Sequence, residues 1–211
     1  MQKERRKSSG HFKKMEAAIF WMNKKTVALT REQFREIIET IQNGFLNHQP
    51  NPQIAAALVI EANLGIRISD ISRKLTLSNI IRDGGRYRLD IVEQKTKKKR
   101  TFSVPVELYL YLQSYCLENK IGIDDVIFPI SERTIQNHLA MVCDYLGPEY
   151  KRIGTHSFRK YFATSIYNEN GKDIALVQRL LQHSSPATTQ RYIGIEPERI
   201  EKALETHLDL P

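Results

Sequence analysis

Hydrophobic residues recur at helical spacing along most of this chain, but between Leu75 and Val106 the spacing changes, and that change limits the folds available. In "LTLSNIIRDGGRYRLDIVEQKTKKKRTFSVPV" β-branched and polar residues alternate. Alternation sends successive side chains to opposite faces, as a half-buried strand requires and a helix does not. Asp83-Gly84-Gly85 marks one turn, and the lysine run that starts at Lys95 marks another. Two turns divide the stretch into three short strands. The fold expected is mainly α with a small three-stranded antiparallel β-sheet.

The flanking segments carry helix signals. Thr30 can cap a helix with Gln33 closing the capping box, and Phe34, Ile37, Ile38 and Ile41 follow at helical spacing. A second helix runs through "NPQIAAALVIEANLG", with Pro52 near its start and Gly65 near its end. "ISDISRK" begins a further short one. Helical period resumes at "ELYLYLQSYCLENK" and at "ERTIQNHLAMVCDYLG". A last helix, "PERIEKALETHL", carries an apolar stripe of Ile200, Ala203, Leu204 and Leu208.

Composition bounds the function. At 211 residues the chain is long enough for one sizeable core. It has no apolar run of the roughly 18 residues a membrane span needs, so no membrane partner is expected. The basic start, "MQKERRKSSGHFKK", has no apolar stretch behind it and is no secretory signal. Cys116 and Cys143 fall on apolar helix faces and suit buried free thiols in a reducing cytoplasm. The net charge of +8 points to a polyanionic partner, because Lys and Arg neutralise phosphates and release their counterions.

The segment "THSFRKYFATSIYNENGKDIALVQRLLQHSSPATTQRYIGI" holds four groups suited to handling a phosphate. His156 and Arg159 are three apart and share a helix face. His183 ends the helical stretch "LVQRLLQH", where a C-terminal histidine is also what the helix dipole favours. Tyr192 follows nine residues later, at a position that also suits packing. Each is unremarkable alone; their order is not.

That order resembles the C-terminal signature of the tyrosine recombinases, the lambda-integrase-type site-specific recombinases. The family's upstream arginine has a counterpart in "LGIRISDISRKL", where Arg67 precedes Ser69-Asp70, and its strand-turn lysine has one in "EQKTKKKRTFSVP". The resemblance covers about residues 28–205 and implies the tyrosine recombinase catalytic-domain fold. Residues 1–26 themselves read as a basic, flexible leader, and the resemblance implies a catalytic domain over 27–211. Most members carry a separate helical DNA-clamping domain ahead of the catalytic one. About 27 residues precede the first helix here, too few for it, which leaves a stand-alone module or a piece of a longer integrase.

The implied activity is breaking and rejoining DNA strands through a covalent 3′-phosphotyrosine, for integration or excision of a phage or mobile element. The residue types fit that chemistry. Arg67 and Arg159 are always-charged forks matched to non-bridging phosphate oxygens. His183 can donate to the same charge, and Tyr192 is the implied nucleophile. His156 is the implied base for a phenol whose ordinary pKa is about 10. Lys95 is the implied acid for the leaving 5′-oxygen, with Lys97, Lys98 and Lys99 in the same turn as alternatives. No cofactor and no metal are implied. The implied partners are double-stranded DNA, other copies of the chain in a tetrameric synapse on DNA, and accessory DNA-bending or excision proteins. Two rivals are a type IB topoisomerase and a DNA-binding accessory protein that has lost catalysis. The "QHSSPATTQRYIGI" spacing favours the recombinase over the first, and the presence of both arginines and the tyrosine speaks against the second.

Overall fold

The computed structural model describes residues 26–93, 97 and 99–193. Lys95, the expected leader through residue 25 and the expected last helix therefore lie outside the described residues.

Helix α1, Arg31–Asn43, starts as its sequence dictates. The Thr30 hydroxyl accepts from the Gln33 N–H at 3.1 Å, and the Gln33 side chain accepts from the Thr30 N–H at 3.1 Å. Two otherwise orphaned amides are satisfied reciprocally. The stripe of Ile37, Ile38 and Ile41 is buried. Phe34 completes it, stacked on Tyr161 at 5.2 Å and edge-on to Phe158 at 6.1 Å between ring centroids.

Helix α2, Pro52–Leu64, is the centre of the molecule. It is apolar nearly all round and correspondingly buried, as a core helix is. Helices α1 and α6 (Thr155–Glu169) pack against it. Gly65 ends α2 in the left-handed conformation at φ 59°, and a Cβ there would collide with the Phe162 ring. Glycine is the residue that meets both demands. The chain then rises through extended Arg67 into α3, Ile68–Ile71, only one turn long and shorter than the "ISDISRK" pattern suggests.

A short 3₁₀ turn, Leu77–Asn79, leads into the sheet, so the strands start five residues after the alternation begins. The strands β1 (Ile80–Asp83), β2 (Arg86–Val92) and β3 (Lys99–Val104) pair in that order, antiparallel throughout. The register sets Leu89 opposite both Ile80 and Phe102, three buried residues on one face. Ile81 and Val92 point outward and are exposed. In β3 the inward positions are Arg100, Phe102 and Val104, so the pleat carries a charged side chain inside.

Helices α4 (Val106–Glu118) and α5 (Glu132–Leu146) bury Cys116 and Cys143 as free thiols. Burial pushes the Cys143 thiol up to about 12. Helix α7, Ile174–Leu181, is capped by the Asp173 carboxylate, which accepts from the amides of Ala175 and Leu176 at 2.8 and 3.0 Å. Helix α8 is Pro186–Ile193. Two buried clusters result: a main core, and a smaller one of Ala163, Val177 and Leu181 against which Phe162, Ile166 and Tyr192 pack. Among the described residues no helix is long and apolar enough to cross a membrane.

Candidate active site

The site forms where the end of α2, the first turn of α6 and the α7–α8 corner meet. Arg67 is delivered by the break after Gly65. Its backbone is extended and caps α3, whose first amide, that of Ile68, donates to the buried Glu61 carboxylate at 3.2 Å. The Arg67 side chain is 24% exposed and pairs with Glu93.

Arg159 enters from α6 and is only 2% exposed. One arm of its fork donates to the Gly65 carbonyl and the other to the Leu181 carbonyl, the latter at 3.2 Å. A single guanidinium thus joins the end of α2 to the end of α7, which two separated point donors could not do. His156 lies on α6 one turn before Arg159 and is exposed.

His183 follows α7. Gln182 closes that helix in the left-handed conformation, at φ 50°, and turns the chain so that the His183 ring enters the site. The ring Nδ1 is 3.1 Å from the hydroxyl of Thr189, which is fully buried. A Thr189 hydroxyl that donates to Nδ1 leaves the ring proton on Nε2. The His183 ring meets the Tyr192 ring edge-on, with centroids 5.2 Å apart. Lys160 also lies over the Tyr192 ring, its Nζ 5.7 Å from the ring centre.

The electrostatics follow from burial among cations. Burial, followed by the charges of Arg159, Arg67 and Arg100, pulls His183 down to about 4, so the ring is neutral at physiological pH. A charged histidine held by a helix dipole does not describe it. Burial pushes the Tyr192 phenol up to about 12, although Arg159 and Arg67 act in the opposite direction. The phenol oxygen lies near enough to Arg159 for the guanidinium to favour its anion. It still makes no hydrogen bond of regular geometry with any described residue. Burial also lowers Arg159 below the usual guanidinium range, which Tyr192 partly offsets.

Of the residues marked in the sequence, Arg67, Arg159, His183 and Tyr192 are brought together, and His156 stands exposed one turn away. Lys95 lies outside the described residues. Sequence reasoning missed Glu61, Glu93, Arg100 and Gln182. Arg100 left a readable signal, because it occupies an inward position of β3 in step with Phe102 and Val104. Glu61 left another, as a lone carboxylate in the apolar helix α2. Its carboxyl is raised well above the usual range by burial, with Arg159 pulling the other way. Among the described residues no group of three or more His, Cys, Asp or Glu side chains is placed to hold a metal.

Residues 27–199 match the model of the phage integrase family. The chain belongs to that family. It is similar to the probable integrase/recombinase YoeC of Bacillus subtilis, 34% identical over 80% of this chain and 91% of that protein. It is also similar to the tyrosine recombinase XerD of Proteus mirabilis, 26% identical over 72% of this chain and 48% of XerD. A solved structure of the XerH site-specific recombinase bound to its difH substrate superposes with a TM-score of 0.60. It shares 20% identity over 89% of this chain and 56% of XerH. The chain thus spans about half the length of XerD and XerH. The helical layers with their three-stranded sheet are the tyrosine recombinase catalytic-domain fold.

Within this integrase-family fold the site has a clear chemical character. Two arginines and a neutral imidazole surround one phenol whose hydroxyl is buried, and of the two guanidinium groups that of Arg67 is the more exposed. Such a site favours an oxyanion with several negatively charged oxygens over any neutral ligand.

Proposed function

We propose that this chain breaks and rejoins DNA strands at specific sites through a covalent 3′-phosphotyrosine on Tyr192. The observation that carries this reading is the convergence of Arg67, Arg159 and His183 on the Tyr192 phenol, whose buried hydroxyl makes no regular hydrogen bond with any described residue. The scissile phosphate enters with its non-bridging oxygens on the two guanidinium forks and on the His183 Nε2–H. The Tyr192 oxygen bonds to phosphorus as the bond to the 5′-oxygen breaks. The phenol proton passes to His156, and the departing 5′-oxygen takes a proton from Lys95. Attack by another strand's 5′-hydroxyl reverses each transfer and restores the phosphodiester. Each half is thus an exchange between esters of similar energy, which is what covalent catalysis offers here.

A phenol held near 12 is a poor nucleophile at rest. That makes deprotonation during attack the step that needs help. Positive side chains supply the charge stabilisation that a metal supplies in other phosphoryl-transfer sites, so the reaction proposed is metal-independent. The partners are double-stranded DNA and further copies of the chain in a tetrameric synapse, with accessory DNA-bending or excision proteins. The setting is the cytoplasm, in service of a phage or mobile element. The family match and the DNA-bound XerH structure support this assignment.

The test is a nicked suicide duplex carrying the element's site, from which the cleaved strand cannot be rejoined. The wild-type chain should become attached through a 3′-phosphotyrosine. Tyr192→Phe should abolish the adduct and leave binding almost unchanged, since one hydroxyl is lost. An adduct at the wild-type level in that variant moves the role elsewhere, with Tyr161 and Tyr167 the next candidates.

A further inference from the structure

The Glu93–Arg100 pair takes no part in the chemistry above, yet it joins Arg67, the end of α7 and the turn between β2 and β3. Glu93 directly follows the last residue of β2, and Arg100 is the second residue of β3, so the two flank the turn that carries the lysines. Their side chains are 4% and 3% exposed. The Glu93 carboxylate accepts from Arg100 and also from Arg67, across the phosphate-facing wall. Its backbone carbonyl accepts from the Lys97 amide at 3.0 Å, inside the turn. Arg100 donates from Nε to the Gln182 side chain at 2.6 Å and from Nη2 to the Leu181 carbonyl at 2.7 Å. That carbonyl is the one Arg159 also grips. Gln182 in turn donates to the Thr101 carbonyl at 3.4 Å.

A buried ion pair is weak grounds for stability, because a well-packed apolar pair of similar volume is often as stable or more so. What the pair does supply is direction. The guanidinium is a rigid plane, and three of its corners are fixed by groups on β2 and at the end of α7. We propose that Glu93 and Arg100 are positioning residues that lock the lysine turn in register with the Arg67–Arg159–His183 phosphate grip. A two-stranded turn fastened at its base alone can swing relative to the helices beside it. Fastening through Arg100 to Leu181 and Gln182, and through Glu93 to Arg67, ties the facing ends of β2 and β3, at the base of that turn, to the phosphate grip. The argument rests on the strand-transfer reading and holds whichever lysine of the turn is the acid.

The experiment compares two leaving groups. Arg100→Lys keeps a charge for Glu93 but loses the fork onto Leu181 and Gln182. Gln182→Asn keeps a residue that tolerates the left-handed backbone and is too short to reach Arg100. Because Gln182 is exposed, that variant decides the matter if Arg100→Lys fails to fold. Adduct formation is timed on an ordinary suicide duplex and on one with a bridging 5′-phosphorothiolate, whose sulfur departs without a proton. Arg100→Lys should be slower by about tenfold or more on the ordinary ester, the low end for weakened acid catalysis. It should return to within about threefold of wild type on the thiolate. Gln182→Asn should show the same pattern to a smaller degree. Equal slowing on both duplexes, or no slowing on either, overturns the inference. A wild-type chain that forms no adduct on either duplex overturns the strand-transfer reading and this inference with it. One that reacts confines the outcome to the pair.

Discussion

Arg159→Lys separates the structural from the chemical duties of one side chain. In the native fold the guanidinium is buried and donates to two carbonyls on different elements, Gly65 and Leu181. An ammonium at that depth reaches one of them. The Leu181 carbonyl also accepts from Arg100 at 2.7 Å, so the ammonium either leaves Gly65 unmet or gives up its own bond to Leu181, and one charge-assisted bond is lost in each case. Losing a charge-assisted bond to a buried carbonyl costs about 2 kcal/mol. At roughly 2–4 °C per kcal/mol for a domain of this size, the melting temperature should fall by about 4–8 °C. The cleavage defect should be larger. An ammonium offers the phosphate one direction where the fork offers two, and removing one well-aimed transition-state donor costs about 2.7–4 kcal/mol, or 10²–10³-fold in rate. Single-turnover adduct formation at a temperature where the variant is fully folded measures the second effect free of the first. Arg159→Lys should thus be cleavage-poor but still folded. A wild-type rate with an unchanged melting temperature would refute both the two-carbonyl bridge and the bidentate grip.

The remaining predictions concern protons and metal. His183 titrates at about 4 in the fold, below the ordinary imidazole value of 6.5. Unfolding therefore takes up a proton between those values, and stability is lost as pH falls from about 6.5 towards 4. Between pH 7 and pH 5 the melting temperature of His183→Gln should drop less than that of the wild type, and parallel curves would count against a neutral His183. Lys95→Ala should be slow on an ordinary phosphodiester and restored on the bridging thiolate, with Lys97→Ala mainly weakening binding. The reverse pattern reassigns the acid to Lys97. A chelator at constant ionic strength should leave the adduct rate within about twofold, while a collapse restored by magnesium would sink the metal-free mechanism.

Local rules made much of the fold readable. Thr30 and Gln33 announce the start of α1, and Gly65 announces the end of α2, because caps and left-handed turns depend on residues a few positions apart. The sheet was readable for the same reason, since a period of two is a local property. The site was readable through the order of its charged groups, and their meeting point was not. Arg100 and Gln182 lie far apart in sequence, and nothing short of the folded chain says that β3 and the end of α7 are neighbours. The neutral state of His183 is equally a product of assembly, because burial first, and then arginines from three different elements, drive the proton off. Helix α3 was overestimated because its hydrophobic pattern continues past Ile71, where the chain turns to place Leu75 in the core.

The tyrosine's seat has a consequence for timing. Tyr192 packs against the minor cluster of Ala163, Val177 and Leu181, not against the main core that α2 organises. Cooperative opening follows such divisions: a segment resting on few buried side chains detaches at a fraction of the free energy of global unfolding. Once the Arg100 and Arg159 bonds to the Leu181 carbonyl give way, the α7–α8 corner can therefore loosen as a unit while the arginine at the end of α2 and the sheet stay in place. A loosened corner carries Tyr192 and His183 away together and leaves Arg67 where it is. On the strand-transfer reading proposed above, holding a phosphate and being armed to cut it are then separate conditions.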